Sequence, residues 1–193
     1  GLSVVYDDDD MLRNQEQGNR LLEQMARYAA STDIAMQTQV RVAANIANGI
    51  RHAFKEFRAT EILIGMHMHL EVSQKFWGAF HQSLFNGLNS QIIMARLRQP
   101  LSTIQVAVPS RAQFEPGFYR WLERLCRLGT NLECHTEFYG RDDVLPLIEK
   151  YVRNRHADMR VSYTVMNHWA EMPEIASTIS DDHLFIVVTA RKG

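Results

Sequence analysis

Short apolar runs alternate with segments of three- and four-residue apolar spacing along the whole chain. Strands are predicted at residues 2–6, 35–43, 61–64, 91–95, 103–108, 132–138, 160–166 and 184–188. Helices are predicted at residues 14–30, 44–57, 78–89, 115–128, 143–154 and 173–179. The apolar face of the first helix carries Leu21, Leu22, Met25, Tyr28 and Ala29. The inward face of the helix at 115–128 carries Phe118, Trp121, Leu122, Leu125 and Cys126. Strands that alternate with single helices indicate parallel sheets joined by right-handed crossovers, so the predicted fold class is α/β with a Rossmann-like arrangement.

The same pattern occurs twice, on either side of a short joint at residues 99–102. We therefore predict two tandem units, residues 1–100 and residues 101–193. A strand begins at residue 2, and only five residues follow the strand that ends at residue 188. Both units are therefore expected to be truncated, and the chain is expected to be a fragment of a longer protein.

Composition excludes several classes of function. The chain has 193 residues and a net charge of −1, so electrostatics give no reason to expect nucleic acid as a partner. No apolar run approaches the roughly 20 residues of a membrane-spanning helix, so direct membrane insertion is not expected. Cys126 and Cys134 match no metal or redox spacing, and both are interpreted as core thiols.

The stretch from residue 61 to residue 96 resembles a phosphate site in outline. A short strand ends at Gly65, and Gly78 opens a helix thirteen residues later. A glycine between a strand and a helix N-terminus can expose backbone N–H groups to an anion. Met68, however, fills the space that a phosphate would need. Gly65 and Gly78 are the candidate cofactor-binding residues of a degenerate nucleotide loop.

Other local features have more than one interpretation. The acidic run at residues 7–10 suits a divalent cation or a solvated helix start. His67, His69 and His81 suit zinc, a pH sensor or ordinary polar loops. No metal site is predicted from either feature.

Two further clusters also remain open. One is an aromatic cluster that suits a docking patch or a core, and it consists of Phe76, Trp77, Phe80, Leu84 and Phe85. The other is a basic cluster that suits an anion or plain solvation, and it consists of Arg96, Arg98 and Arg111. No Ser-His-Asp group, Cys-His group, paired-carboxylate motif or P-loop is present in the sequence, so no enzyme activity is predicted and no catalytic residue is assigned.

The first unit resembles universal stress protein domains, which have a five-stranded nucleotide-binding α/β fold. Their loop signature is glycine, two residues, glycine, nine residues, then glycine and a hydroxyl residue. Gly65 and Gly78 keep this spacing, but Met68 and Ala79 replace the second glycine and the hydroxyl residue. In the second unit, Pro109 follows the strand that ends in aspartate in the family. The resemblance implies lost ATP chemistry, with adenine-nucleotide binding as the alternative function and a free-standing ATP-hydrolysing stress protein as a disfavoured third.

A narrower resemblance covers nearly the whole chain. Residues 45–56, 105–111 and 114–121 are similar to the cytosolic C-terminal region of bacterial monovalent cation:proton (Na+/H+) antiporters. This resemblance implies a non-enzymatic regulatory or assembly domain, without a cofactor, on the cytoplasmic side of the inner membrane. It implies the transmembrane antiporter domain of the same protein as a partner, and a homodimer.

The resemblance also predicts a gap in the first unit. In the stress-protein fold the first strand is central, and the first unit aligns from the second strand onward. An unpaired buried edge is costly. We therefore expect the second unit or another copy of the chain to cover this edge.

Overall fold

A computed structural model of the chain describes residues 1–65, 82–84, 88, 90–96 and 100–189. It divides into two compact units, Gly1–Ala95 and Arg96–Gly193. The described elements of the first unit are β1 (Leu2–Tyr6), α1 (Met11–Ser31), β2 (Gln39–Ala43), α2 (Ile46–Glu56), β3 (Glu61–Gly65) and β4 (Gln91–Ala95). Those of the second unit are β5 (Thr103–Ala107), a 3-10 helix (Ala112–Phe114), α3 (Phe118–Asn131), β6 (His135–Gly140), α4 (Leu145–Arg155), β7 (Val161–Val165), a 3-10 helix (Trp169–Glu171), α5 (Met172–Ser177) and β8 (His183–Val187). Every described strand pair is parallel, so the predicted α/β class is confirmed.

The second unit is built on a four-stranded parallel sheet with the order β7-β6-β5-β8. Strand β5 pairs with β6 on one edge and with β8 on the other. Parallel strands need crossover connections, which here carry α3, α4 and α5. The chain moves from β5 to β6 and then to β7 on one side. It then returns past β6 and β5 to form β8 on the other side of β5. This reversal of strand order places β5 in the centre of the sheet.

One face of this sheet is apolar and packs against α3 and α4. Ile104 and Val106 of β5 have no exposed surface. Phe118 and Leu122 of α3 and Ile148 of α4 belong to the same buried cluster. The inward positions predicted for Phe118 and Leu122 are therefore confirmed. Burial of these side chains supplies the main stabilisation of the unit, at about 1.5–3 kcal/mol for each large apolar side chain.

The two cysteines also lie in this core. Cys126 and Cys134 are free and buried, which confirms their interpretation as core thiols. Burial raises the pKa of the Cys126 thiol to about 12. Nearby, α3 approaches the sheet closely at Gly129, where an added Cβ would lie 2.5 Å from Thr136 Oγ1. A side chain at position 129 would therefore push α3 away from β6.

The opposite face of the sheet carries a polar row centred on Gln105, which is 3% exposed. Gln105 Nε2 donates hydrogen bonds to Tyr139 Oη and Thr178 Oγ1, both at 3.0 Å. His183 Nδ1 lies 3.2 Å from Gln105 Oε1 and is the donor, because that oxygen can only accept. Tyr139 in turn donates to Glu137 at 2.6 Å. Thr178 follows α5, so this row fastens α5 to the central strand.

A second polar cluster joins α3 to α4. Glu123 on α3 accepts hydrogen bonds from the Tyr151 hydroxyl at 2.7 Å and from Arg127 Nε at 2.6 Å. His156 Nε2 lies 2.9 Å from the same carboxylate. Hydrogen bonds from His156, Tyr151 and Arg127 lower the pKa of the Glu123 carboxyl to about 2. Burial and the Glu123 carboxylate raise the pKa of Tyr151 to about 12.

The first unit contains two separate two-stranded parallel sheets, β1-β2 and β3-β4. Helix α2 packs against both of them. A Cβ added at Gly49 would lie 2.6 Å from Val4 Cγ1 of β1, so α2 lies directly on that sheet. Ala47 of α2 shares a cluster with Ile62 and Ile64 of β3. One helix therefore holds the two sheets together.

Helix α1 differs from its predicted form. It begins at Met11 rather than at residue 14, and its buried face is narrower than expected. Leu22 and Ala29 are buried as predicted. The predicted core residues that are exposed instead are Leu21 (54%), Met25 (45%) and Tyr28 (72%). The helix packs on the two strands β1 and β2, which cover only a narrow stripe of it.

Helix α1, at 21 residues, has the length of a membrane-spanning helix. Charged and polar residues interrupt its sequence too often for a hydrocarbon environment. No described helix combines the length and the apolar character that crossing a membrane requires.

A first prediction concerns Thr136, whose buried Oγ1 has no hydrogen-bond partner. Thr136→Val should raise the free energy of unfolding by about 1 kcal/mol, because it removes an unsatisfied buried hydroxyl. Chemical denaturation measures this change. The matched control is Thr178→Val, which should destabilise because it leaves a Gln105 N–H without an acceptor. A loss of stability in Thr136→Val equal to that of the control would contradict the prediction.

A second prediction concerns Glu123. Its carboxyl pKa falls from 4.5 to about 2 on folding, so the stabilisation is complete above pH 4.5 and is lost as the pH falls toward 2. Glu123→Gln should therefore flatten the fall in unfolding free energy across this window. Urea midpoints measured at a series of pH values test this. Glu149→Gln is the control, since Glu149 only meets Arg153 at 4.0 Å, and it should keep the wild-type slope.

Candidate functional site

A cleft of the second unit lies at the carboxyl edge of its sheet. It has a volume of about 360 Å³ and lies where β5, β6 and β7 end. Parallel strands end at the same edge, so the loops that follow them converge there. The residues that line the cleft are Val108, Pro109, Ser110, Arg141, Met166, Asn167, His168 and Trp169.

The floor of the cleft is apolar and held by backbone hydrogen bonds. Val108 N donates to Tyr139 O at 2.8 Å, and Met166 N donates to Gly140 O at 2.8 Å. These bonds continue the β5-β6 and β6-β7 ladders beyond the strand ends. Val108 and Met166 are both buried, at 0% and 3% exposure. The sheet therefore supplies a rigid base for the cleft.

Arg141 provides the positive charge of the cleft. It follows β6 directly and is exposed. Within the described part of the chain, its guanidinium has no hydrogen-bond or ion-pair partner. Five N–H donors in a planar fork suit a phosphate or carboxylate. Ser110 and Asn167 add a hydroxyl and an amide to the lining.

His168 and Trp169 also line the cleft. His168 N donates to Glu171 Oε1 at 2.9 Å, and Glu171 N donates to His168 O at 3.0 Å. These two hydrogen bonds hold the start of the short 3-10 helix in place. Trp169 is 45% exposed at the rim, so one part of its indole is open to a flat ligand.

The loop after β5 adopts an unusual conformation. Arg111 has φ 63°, in the left-handed region that non-glycine residues seldom occupy. The loop is tied to the loop after β6, because Gln113 Nε2 donates to Asp143 Oδ2 at 3.3 Å. Backbone strain of this kind persists where the surrounding structure fixes it, and it clusters at ligand sites. The lining residues include no carboxylate and no thiol, so their chemistry suits binding an anion with a flat ring.

The predicted glycine loop lies in the first unit and is only partly described. Gly65 ends β3 opposite Ala95 of β4. It is exposed, and an added Cβ would meet no atom of the described residues within 4 Å, so no contact with the described part of the chain requires glycine here. Gly78, Met68 and Ala79 lie outside the described residues. The degenerate loop stays a prediction.

The other candidate clusters are also only partly visible. The acidic run at residues 7–10 is exposed directly before α1, and Asp10 pairs with Arg13 at 3.1 Å. Among the residues that the structure describes, no three His, Cys, Asp or Glu side chains gather as a metal site would require. Leu84 is buried at 1% exposure, as the core reading of the aromatic cluster expects. The remaining cluster members lie outside the described residues, and they are His67, His69, His81, Phe76, Trp77, Phe80, Phe85 and Arg98.

Sequence reasoning did not select Arg141, His168 or Trp169. Each of them follows a predicted strand by two or three residues, which is the available signal in the sequence. The loop after β5 was noted only because Pro109 replaces the expected aspartate. Ligands of parallel sheets bind at the carboxyl ends of the strands. Inspecting the residues that follow every predicted strand of the second unit would have selected these three residues together.

The chain was also compared with known proteins. It matches no protein-family model, and no curated protein matches it. These two comparisons therefore assign the chain to no family.

Proposed function

We propose that the chain is a non-enzymatic regulatory and assembly domain of a bacterial monovalent cation:proton antiporter, with a universal-stress-like fold in both units. Its partners would be the transmembrane exchanger of the same protein and a second copy of the chain. It would lie on the cytoplasmic side of the inner membrane and bias the exchanger through its own conformation.

The observation that carries this proposal is where the antiporter-like residues lie. Residues 45–56 comprise the Asn45 cap and α2, the helix that holds both sheets of the first unit. Residues 105–111 comprise most of the central strand and the loop at the cleft, and residues 114–121 lead into α3. The similarity to the antiporter C-terminal region thus falls on the central elements of each unit. This is expected if the chain and that region share the whole domain.

The parallel α/β architecture supports the same proposal. A regulatory domain must bind a signal and pass a conformational change to another part of the protein. The cleft beside the central strand could bind the signal, and the strand could pass the change on. The Gln105 row connects β5 to α5, so displacement at the carboxyl edge can reach the opposite face of the sheet.

The coding sequence upstream of residue 1 tests the antiporter proposal. It should encode a series of hydrophobic helices long enough to span a bilayer. In inverted membrane vesicles, removal of residues 1–193 should leave exchange detectable but change its dependence on pH or cation concentration. A parent protein without membrane helices, or a truncated parent with unchanged exchange, would contradict the proposal.

A second candidate function is adenine-nucleotide binding, which the cleft of the second unit favours. Arg141 would meet the phosphate, and the exposed part of Trp169 would stack on the base. Ser110 and Asn167 would meet ribose hydroxyls. The volume of about 360 Å³ lies within the range of about 300–1,000 Å³ common for small-molecule sites.

Calorimetric titration with ATP, AMP and cyclic dinucleotides tests this second candidate. Arg141→Ala should weaken binding by about 10- to 100-fold, because a charge-assisted hydrogen bond contributes about 1.5–3 kcal/mol. Arg153→Ala is the matched control, since Arg153 lies on α4 and pairs with Glu149.

Gly78→Asp separates the two possible nucleotide sites. Loss of binding in Gly78→Asp but not in Arg141→Ala would assign the nucleotide to the glycine loop of the first unit. If the wild-type chain binds none of these nucleotides at millimolar concentration, adenine-nucleotide binding is ruled out as its function.

A further inference from the structure

The charge of the chain is unevenly distributed. The chain as a whole carries a net charge of −1. Helices α3 and α4, of 14 and 11 residues, contain six cationic residues and two acidic ones, and so carry a net charge of +4. The rest of the chain therefore carries a net charge of −5. The cationic residues of the two helices are Arg120, Arg124, Arg127, Lys150, Arg153 and Arg155.

The basic side chains of α3 point away from the core. Phe118 of α3 and Ile148 of α4 are buried against the same face of the sheet, so the opposite sides of the two helices face outward together. Arg120, Arg124 and Arg127 recur at four- and three-residue spacing, which places them on one side of α3, and all three are exposed. The two helices thus form one layer with a basic outer face.

The two acidic residues of this layer do not neutralise its outer face. Glu123 turns toward α4, where it accepts the hydrogen bond of the Tyr151 hydroxyl, and its side chain is 27% exposed. Glu149 lies 4.0 Å from Arg153 on its own helix. Within the described part of the chain, the cations of the layer without an ion-pair partner are Arg120, Lys150 and Arg155.

Helix α1 shows a different arrangement of exposed arginines. Arg20 lies 2.5 Å from Glu16 and Arg27 lies 3.7 Å from Glu23, each pair being one helical turn apart. Pairs of this kind offset the positive charge along a helix surface. The three unpaired cations of α3 and α4 lack this compensation, which indicates that they face a negatively charged partner.

Exposed apolar side chains lie among these cations. Tyr119 is 57% exposed where the two helices meet, with its ring centroid 5.5 Å from that of Tyr151. The Arg155 guanidinium lies over the Tyr151 ring, 5.6 Å from its centroid. Leu147 is 39% exposed and precedes Lys150 by one turn, on the same side of α4. Tyrosine and leucine beside arginine and lysine are typical of surfaces that lie in the headgroup region of a membrane.

We propose that the outer face of α3 and α4 binds the surface of a membrane that contains anionic lipids. The cations contact lipid phosphates, and Tyr119 and Leu147 enter the headgroup layer beside them. This proposal rests on the proposed function, which places the chain on the cytoplasmic side of the inner membrane. It goes beyond that function because it specifies which face of the second unit lies on the membrane.

A lipid surface fits this face better than a nucleic acid or an acidic protein segment. Two adjacent helices of this length present a face of about 20 Å in each direction, and the cations are spread over both of them. An anionic membrane offers negative charge over such an area, whereas a nucleic acid or a peptide offers it along a line. The exposed Leu147 gains nothing beside a phosphate backbone, but it gains from burial at the boundary of the headgroups and acyl chains.

Sedimentation with lipid vesicles tests the proposal on residues 1–193. The chain should bind vesicles of equal parts phosphatidylglycerol and phosphatidylcholine, and more weakly as the salt concentration rises. It should not bind vesicles of phosphatidylcholine alone. Each Lys or Arg near an anionic surface strengthens binding by about fivefold, so Arg120→Gln combined with Lys150→Gln should weaken it by about 25-fold. Both residues are exposed, so the urea midpoint should stay at the wild-type value.

Arg20→Gln combined with Arg27→Gln is the matched control. It removes the same charge from exposed positions of α1, where each arginine is already paired with a glutamate. Vesicle binding should stay within about twofold of the wild-type value, because these arginines lie outside the proposed face. An equal loss of binding in the two double variants would show a response to net charge alone and would overturn the proposal.

Leu147→Ser separates contact with the headgroup layer from attraction at a distance. It leaves every charge in place and should weaken binding to the anionic vesicles by about fivefold, because Leu147 buries apolar surface there. Unchanged binding in Leu147→Ser would overturn the proposal.

Other outcomes also decide. Binding to neither kind of vesicle, or equal binding to both, would overturn the proposal. So would tighter binding of a DNA duplex or of polyglutamate that is lost in the Arg120→Gln and Lys150→Gln double variant, since it would assign the face to that partner.

Failure of this inference and failure of the proposed function give different results. An upstream sequence without membrane helices would contradict the antiporter function, while vesicle binding by residues 1–193 would still report on the basic face. Absence of vesicle binding together with upstream membrane helices would overturn this inference alone.

Discussion

The hydrogen-bonded ladders on both edges of β5 are the constraint on which the second unit depends. A central parallel strand satisfies all of its backbone groups within the sheet, and its two faces are then free to organise different neighbours. Ile104 and Val106 anchor the apolar core under α3 and α4. Gln105 anchors the polar row that holds α5. The described strands of the first unit form two small sheets instead, and α2 packs against both.

The parallel pairing of the strands in this sheet also creates the cleft. Because β5, β6 and β7 are parallel neighbours, their carboxyl ends bring three unrelated loops to one edge. Arg141 and the adjacent residues His168 and Trp169 come from two distant segments of the sequence, and both segments line this cleft. The ladder bonds at Val108 and Met166 keep the floor fixed, so the polar side chains above it have a stable support. A binding role follows from this geometry more directly than a catalytic one.

The sequence alone determined the α/β class, the order of the described elements and the main core, because apolar periodicity follows directly from which face of each element is buried. It identified Phe118, Leu122 and both cysteines as core residues. It placed Leu21, Met25 and Tyr28 in the core wrongly, since periodicity shows which side of a helix is apolar but not how many strands cover it.

Tertiary structure alone decided the strand order, the separation of the first unit into two sheets, and the meeting of Arg141 with Trp169. These features depend on contacts between residues far apart in the chain. Such contacts depend on which strand edges pair with each other. The local pattern of apolar residues does not contain this information.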